Sequence, residues 1–338
     1  MANGGFIGKR QVPIITRAKG VWTANELYNA RLDGIWPLLI AEVSTDFLII
    51  GGGGGGGVQG NPSAMSGGGA GGYLNSYGSE ASGGNSTSLS TLTLEIFTNY
   101  AVTIGAGGAI NTNGSNTSLT GTDVNGASVS LTAIGGGRGG GSSNTNASIG
   151  GGNDGGSGGG GGDATPTGQW FPGVWDPGLG TSNQGFAGGA SKSEPDNVRF
   201  CQLLGSAWCG FGICSGGGGG GAGSVGTAAD SGGAGGSGLA SSITGSSVTR
   251  AAGGSGRGSN NPNSAAMPTG SGSSSPGGGG EGGQTNNDGG DGIIILRYPS
   301  VFALSNPGGG LTFSSATEGS DKVSSITAGT GNIQFVAA

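Results

Sequence analysis

Glycine fills 88 of the 338 positions of this chain, and that constrains its fold more than any other feature. The glycines cluster in dense runs, such as residues 51–57 and 216–221, separated by short apolar stretches. A residue without a Cβ costs roughly 0.5–1 kcal/mol more to order than alanine. The whole chain therefore carries a handicap on the order of several tens of kcal/mol. Such a chain is either disordered or exploits the one thing bare backbone allows, which is packing at close range.

Composition narrows the choice. A Gly/Ser linker needs no apolar content, yet 32% of this chain is hydrophobic. Trp170, Trp175 and Trp208 also lie within its glycine-rich part. Collagen requires glycine at every third position and abundant proline; the spacing here is irregular and there are 12 prolines. A prion-like low-complexity chain stays open as an alternative. The favoured reading is a mostly irregular or all-β fold: a bundle of polyglycine II helices with short β-strands, such helices having three residues per turn and outward-pointing N–H and C=O groups. Neighbouring all-glycine helices satisfy those groups mutually.

Three segments follow from the composition shifts. Residues 1–45 are poor in glycine and hold Trp22 and Trp36. Thr23-Ala24-Asn25-Glu26 is a capping box that predicts one short helix to about Leu32. Within residues 1–40, Lys9, Arg10, Arg17, Lys19 and Arg31 face only Glu26 and Asp33, a net +3, whereas the whole chain has net charge −6. A basic head on an acidic body predicts different partners at the two ends. Phe6, Arg10, Arg17, Trp22, Arg31 and Trp36 are the candidate docking residues of this head.

Residues 46–298 form the glycine-rich body. Its predicted strands are Phe47-Leu48-Ile49-Ile50, Leu92-Thr93-Leu94-Glu95-Ile96-Phe97, Tyr100-Ala101-Val102-Thr103-Ile104, Val129-Ser130-Leu131-Thr132-Ala133-Ile134 and Ile293-Ile294-Ile295-Leu296-Arg297-Tyr298. Several alternate apolar and small polar residues as half-buried strands do. An insert at 164–214 concentrates aromatics: Trp170, Phe171, Trp175, Phe200, Trp208 and Phe211. Loops carried by a rigid scaffold are where binding concentrates, so these six are candidate binding residues; a small satellite core is the competing reading. Residues 299–338 read as a tail of a few short strands.

Little points to catalysis or to metal. The absence of histidine excludes His-based triads and His metal sites. The stretch from Gly185 to Ser193 imitates a phosphate loop, but Ser191 stands where the glycine before Lys192 is required. Glu194 and Asp196 are the nearest carboxylate pair to the aromatics, and the chain is read as a non-enzyme without cofactor. Asn85, Asn113 and Asn116 head glycosylation-type triplets that are read as polar turns. Cys201, Cys209 and Cys214 match no zinc spacing, and whether any two form a disulfide is left open. An acidic net charge argues against nucleic acid. No run of 18 apolar residues predicts a membrane span, and the first residues lack the apolar core of an export signal.

The ordered series of Phe47-Leu48-Ile49-Ile50, the glycine run 51–57, Gly67-Gly68-Gly69-Ala70-Gly71-Gly72-Tyr73 and Tyr100-Ala101-Val102-Thr103-Ile104-Gly105 resembles the glycine-rich domain of bacteriophage tail fibres and adhesins. Asp291-Gly292-Ile293-Ile294-Ile295-Leu296-Arg297-Tyr298-Pro299 looks like the exit from that domain. Gly5-Phe6-Ile7-Gly8-Lys9-Arg10, with Asp33-Gly34-Ile35-Trp36-Pro37, is similar to the start of phage structural proteins that carry it. The resemblance implies a polyglycine II sandwich whose tip loops recognise the host surface. It also implies a virion location after assembly in the host cytoplasm, tail proteins as partners of the N-terminal segment, and a glycan or outer-membrane protein as receptor. A homotrimer is one assembly compatible with a fibre. A purely structural tail, baseplate or head-surface role is the alternative function.

Overall fold

The computed structural model describes residues 42–57, 65–122, 126–141, 150–162, 176–193, 214–228, 232–258, 275–283 and 287–338. Fourteen strands run in chain order: β1 Glu42–Ile50, β2 Tyr73–Asn75, β3 Leu92–Glu95, β4 Tyr100–Thr103, β5 Thr117–Thr122, β6 Ser128–Ala133, β7 Lys192–Ser193, β8 Cys214–Ser215, β9 Leu239–Ser241, β10 Val248–Arg250, β11 Ile293–Pro299, β12 Phe302–Ser305, β13 Leu311–Glu318 and β14 Asp321–Ala337. Ten of them join one antiparallel sheet along the path β2-β1-β11-β14-β4-β5-β6, with β3 on β1 and with β12 and β13 on β14.

This corrects the expected fold class. The fold is all-β, and no helix occurs among the described residues. Its organising element is a continuous antiparallel sheet rather than a polyglycine II bundle with short strands attached. The physical reason lies in β1 and β11. Phe47 and Ile49 face one hydrophobic core with Ile294, Leu296 and Tyr298. Leu48 and Ile50 face a second core with Ile293 and Ile295. Strands apolar on both faces are stable only when covered on both, which drives them to the centre of a layered sheet. The helix predicted after Thr23 falls outside the described residues.

The tail, too, exceeds the expectation of short strands. β14 runs for 17 residues and pairs with β11, β13, β4 and β12 along its length. An isolated parallel bridge between Ile96 and Phe335, with the Phe97 N–H donating to the Phe335 carbonyl at 2.8 Å, carries the β3 edge back to β14. The sheet is thereby almost closed into a barrel. Its interior is the first core, where Tyr298 and Phe335 meet edge to face with centroids 4.9 Å apart.

The glycine segments grow out of the strands without losing register. Ile50 pairs with Tyr73 and with Ile293. Beyond them Gly51, Gly54 and Gly57 donate to the carbonyls of Gly72, Gly69 and Ser66 at 2.8–3.0 Å. Gly53 and Gly56 donate to Gly290 and Asn287, and Gly52 and Gly55 to Ser115 and Thr112. In a strand, successive groups alternate between two neighbours. Here they turn to three acceptor segments by turns, so each segment is cross-linked in three dimensions.

Further neighbours donate into the carbonyls of the same central segment: Gly136 to Gly52, Gly108 to Gly53 and Gly280 to Gly54, each at 2.8 Å. Such closeness leaves no room for a side chain. A Cβ on Gly54 would sit on the Gly137 carbonyl, and one on Gly52 on the Ala106 carbonyl. The second core roofs the junction of lattice and sheet, where Ala70, Tyr73, Ala222, Ile243 and Ala251 cover Leu48, Ile50, Ile293 and Ile295.

Candidate functional site

A lattice of bare backbone presents few side chains of its own, so its chemistry lies at its edges and ends. The edges are closed by side-chain oxygens spaced three residues apart. Asp291 and Asp288 accept the N–H groups of Gly107 and Ile110, at 2.8 and 3.1 Å. Asn116 and Asn113 accept those of Gly135 and Arg138, at 2.8 and 3.0 Å. Thr227 and Ser224 accept those of Ala234 and Ser237, at 2.9 and 2.8 Å. Each pair stands where a neighbouring segment would otherwise supply carbonyls. The triplets headed by Asn113 and Asn116 are thus edge caps, a role the reading of polar turns missed. The signal in the sequence is the three-residue spacing of Asn or Asp beside a glycine run.

The two ends of the lattice differ. At one end the segments run into the sheet. At the other they stop together: the Gly57 N–H reaches the Ser66 carbonyl, the Gly162 N–H reaches Gly150, and the Gly161 N–H reaches Gly189. Met65 bridges to Arg257 and Ser215 to Gly258, while Lys192 pairs with Ser215 in the β7–β8 ladder. The residues that border 58–64, 142–149, 163–175 and 194–213, together with Gly258, are therefore gathered at this distal end, whereas Pro276 and Gly277, beyond 259–274, return to the sheet end, where they bond Ala251 and Asp291. The distal end also holds Glu281, whose carboxyl is pushed above the usual carboxylate range by burial.

Near the sheet, a polar network ties the lattice down. Glu80 Oε1 accepts both the N–H and the hydroxyl of Ser242, at 2.8 and 2.6 Å, and its Oε2 accepts from Asn75 at 3.1 Å. Burial alone would raise this carboxyl, but the hydrogen bonds from Ser241, Ser242 and Asn75 outweigh it and hold it below its ordinary value. Beside it, Arg297 pairs with Asp321 at 2.9 Å, donates to the Ile243 carbonyl at 3.2 Å and lies 5.2 Å from the Tyr77 ring centroid.

Trp170, Phe171, Trp175, Phe200, Trp208 and Phe211 lie outside the described residues, as do Phe6, Arg10, Arg17, Trp22, Arg31 and Trp36, and Glu194 and Asp196. The imitation phosphate loop is accounted for. Gly185, Gly188 and Gly189 donate to Thr181, Gly178 and Gly218, which spends on the lattice the groups an anion nest would need. Among the described residues, no group of three acidic or sulfur side chains is placed to hold a metal.

A family model described as a glycine-rich domain matches residues 36–299. The chain belongs to the glycine-rich domain family. Neither the curated proteins nor the solved structures provide a significant match. The matched glycine-rich domain closes at Pro299, the last residue of β11. β12, β13 and β14 lie beyond it, yet β14 bonds directly to β11 and β4 of the glycine-rich domain.

Proposed function

We propose that this glycine-rich protein is a virion structural component, a tail fibre or adhesin, that recognises a bacterial surface receptor through the distal end of its lattice. The observation that carries the reading is the opposition of two ends. The chain enters at Glu42, where β1 pairs with β3, and the lattice continues the direction of β1 to Gly57. Residues 42–57 extend over at most roughly 50 Å, at about 3.3 Å per residue. Close-packed backbone lies between these two ends, which suits an attachment point and a recognition point.

Recognition falls to the segments bordered by Gly162 and Asp176 and by Ser193 and Cys214. These hold Trp170, Phe171, Trp175, Phe200, Trp208 and Phe211. Aromatic side chains give large contact area at low entropic cost and suit both sugar rings and protein surfaces. Before β1 in the sequence, Phe6, Arg10, Arg17, Trp22, Arg31 and Trp36 serve attachment to neighbouring tail proteins, since buried aromatic and Arg anchors dominate interface energy. The receptor is a glycan or an outer-membrane protein, and assembly takes place in the host cytoplasm.

The test uses the purified full chain as a competitor of particle adsorption to host cells. Wild-type protein is expected to block adsorption, and the Trp170→Ala, Trp175→Ala double variant to lose the block while keeping its far-ultraviolet spectrum and melting temperature. Wild-type protein that binds no host cell overturns the receptor reading. Incorporation of the chain into particles without any effect on adsorption favours the purely structural role.

A further inference from the structure

The edges of this molecule are treated unequally. Side-chain oxygens close the lattice edges, as described above. The outer edge of β6 is capped at its C-terminal end by Gln184, whose Oε1 accepts the Ile134 N–H at 2.8 Å while its amide donates to the Thr132 carbonyl at 3.1 Å. β13 has no such treatment. Among the described residues it pairs with β14 alone, and Ser314, Ser315, Ala316 and Thr317 are exposed. A register shift sits between Thr312 and Phe313, leaving residues 313–318 as six regular edge residues. No lysine, arginine, proline or glycine interrupts them. Natural proteins guard exposed edges with such residues because a bare edge is a template for another strand.

We propose that the β13 edge is an interface between two copies of this chain, which join their sheets by antiparallel β13–β13 pairing about a twofold axis. The sequence of the strand is self-complementary in that arrangement. With the axis through the Ala316 pair, Ala316 faces its own copy, Ser315 lies opposite Thr317 and Ser314 opposite Glu318, so that directly opposite residues share a face. The single charge of the strand, Glu318, therefore never faces its own copy, and like charges directly opposite each other are what destabilise a strand pair. Small side chains on Ser314, Ser315 and Ala316 let the two backbones close to ladder distance. The main-chain bonds supply the affinity, as in other cases of strand addition. An unrelated extended peptide would also fit a bare edge, but the self-complementary register favours the second copy. This interface is independent of any receptor.

The mass of the full chain in solution, measured by sedimentation equilibrium over a hundredfold range of concentration, tests the proposal. A monomer–dimer equilibrium is expected. Ser315→Lys sets two like charges beside the axis and is expected to weaken the dimer at least tenfold. Ser130→Lys, on the edge of β6, is expected to leave it unchanged. A wild-type chain that stays monomeric throughout, or forms a trimer, overturns the proposal. So does a dimer broken by Ser130→Lys and not by Ser315→Lys. Should Ser315→Lys fail to fold, amide exchange of the wild-type chain decides. Protection of residues 313–318 that rises with concentration supports the interface, and protection independent of concentration overturns it.

Discussion

Asp291 accepts the N–H of Gly107 through its side chain at 2.8 Å, while its own backbone carbonyl accepts the Gly277 N–H on another side at 2.8 Å. One residue thus belongs to the lattice and also terminates it. Three residues away, the side chain of Asp288 caps the Ile110 N–H in the same way. A lattice that is bonded in three directions has an edge on every side, and each edge group needs a partner or water.

The caps contribute measurable stability. Asn116→Ala removes the acceptor of the Gly135 N–H and is expected to lower unfolding free energy by about 1 kcal/mol, the usual worth of such a bond. Amide exchange should quicken at Gly135 and stay unchanged at Gly54, which is bonded to backbone on all sides. Equal exchange at both positions in wild type and variant would show that the cap is idle.

Substitution in the lattice depends on position rather than on glycine content. In Gly54→Ala the new methyl meets the Gly137 carbonyl, a backbone atom that cannot step aside. A loss of more than about 3 kcal/mol is expected, comparable with severe overpacking. At Gly151 a Cβ would meet nothing closer than the Asp176 carbonyl at 3.4 Å. Gly151→Ala is expected to stay within about 1 kcal/mol of wild type. Urea midpoints of the two variants check the contrast.

Glu80 makes the junction of lattice and sheet sensitive to acid. Its folded carboxyl lies below the ordinary value, so its stabilisation is present in full above the unfolded value of about 4.3. That stabilisation is lost as pH falls through the folded value. Glu80→Gln should destabilise the protein at pH 7 and flatten the acid limb of stability against pH. An acid limb identical in both proteins would remove Glu80 from the explanation.

Glu281 acts with the opposite sign. Burial raises its carboxyl, so the charged form is disfavoured in the folded state and stability is lost as pH rises from the unfolded value through the folded one. Glu281→Gln is expected to melt at a higher temperature than wild type at pH 7, with the gain disappearing below about pH 4. Calorimetry at the two pH values measures it.

Much was legible locally. The apolar stretches 47–50 and 293–298 announce strands buried on both faces, because side chains alternate across a strand and both alternating sets are apolar. The density of glycine announces close backbone packing, because only a residue without a Cβ admits a carbonyl where Gly54 does. The absence of histidine excludes a whole class of catalysis without any structure.

Only the tertiary structure decided how these pieces join. β14 is rich in Thr, Ser and Gly and has a weak apolar pattern, yet it becomes the strand on which β11, β13, β4 and β12 assemble. Its partners lie far away in sequence, and pairing at that distance leaves no local mark. The polyglycine II expectation failed as a description of the fold for a related reason. A glycine run states what backbone contact it permits but not which neighbour it takes, since no side chain is there to specify one. Strand register, carried outward from Ile50, Tyr73 and Ile293, makes that choice, and Asn113, Asn116, Asp288 and Asp291 mark where it ends.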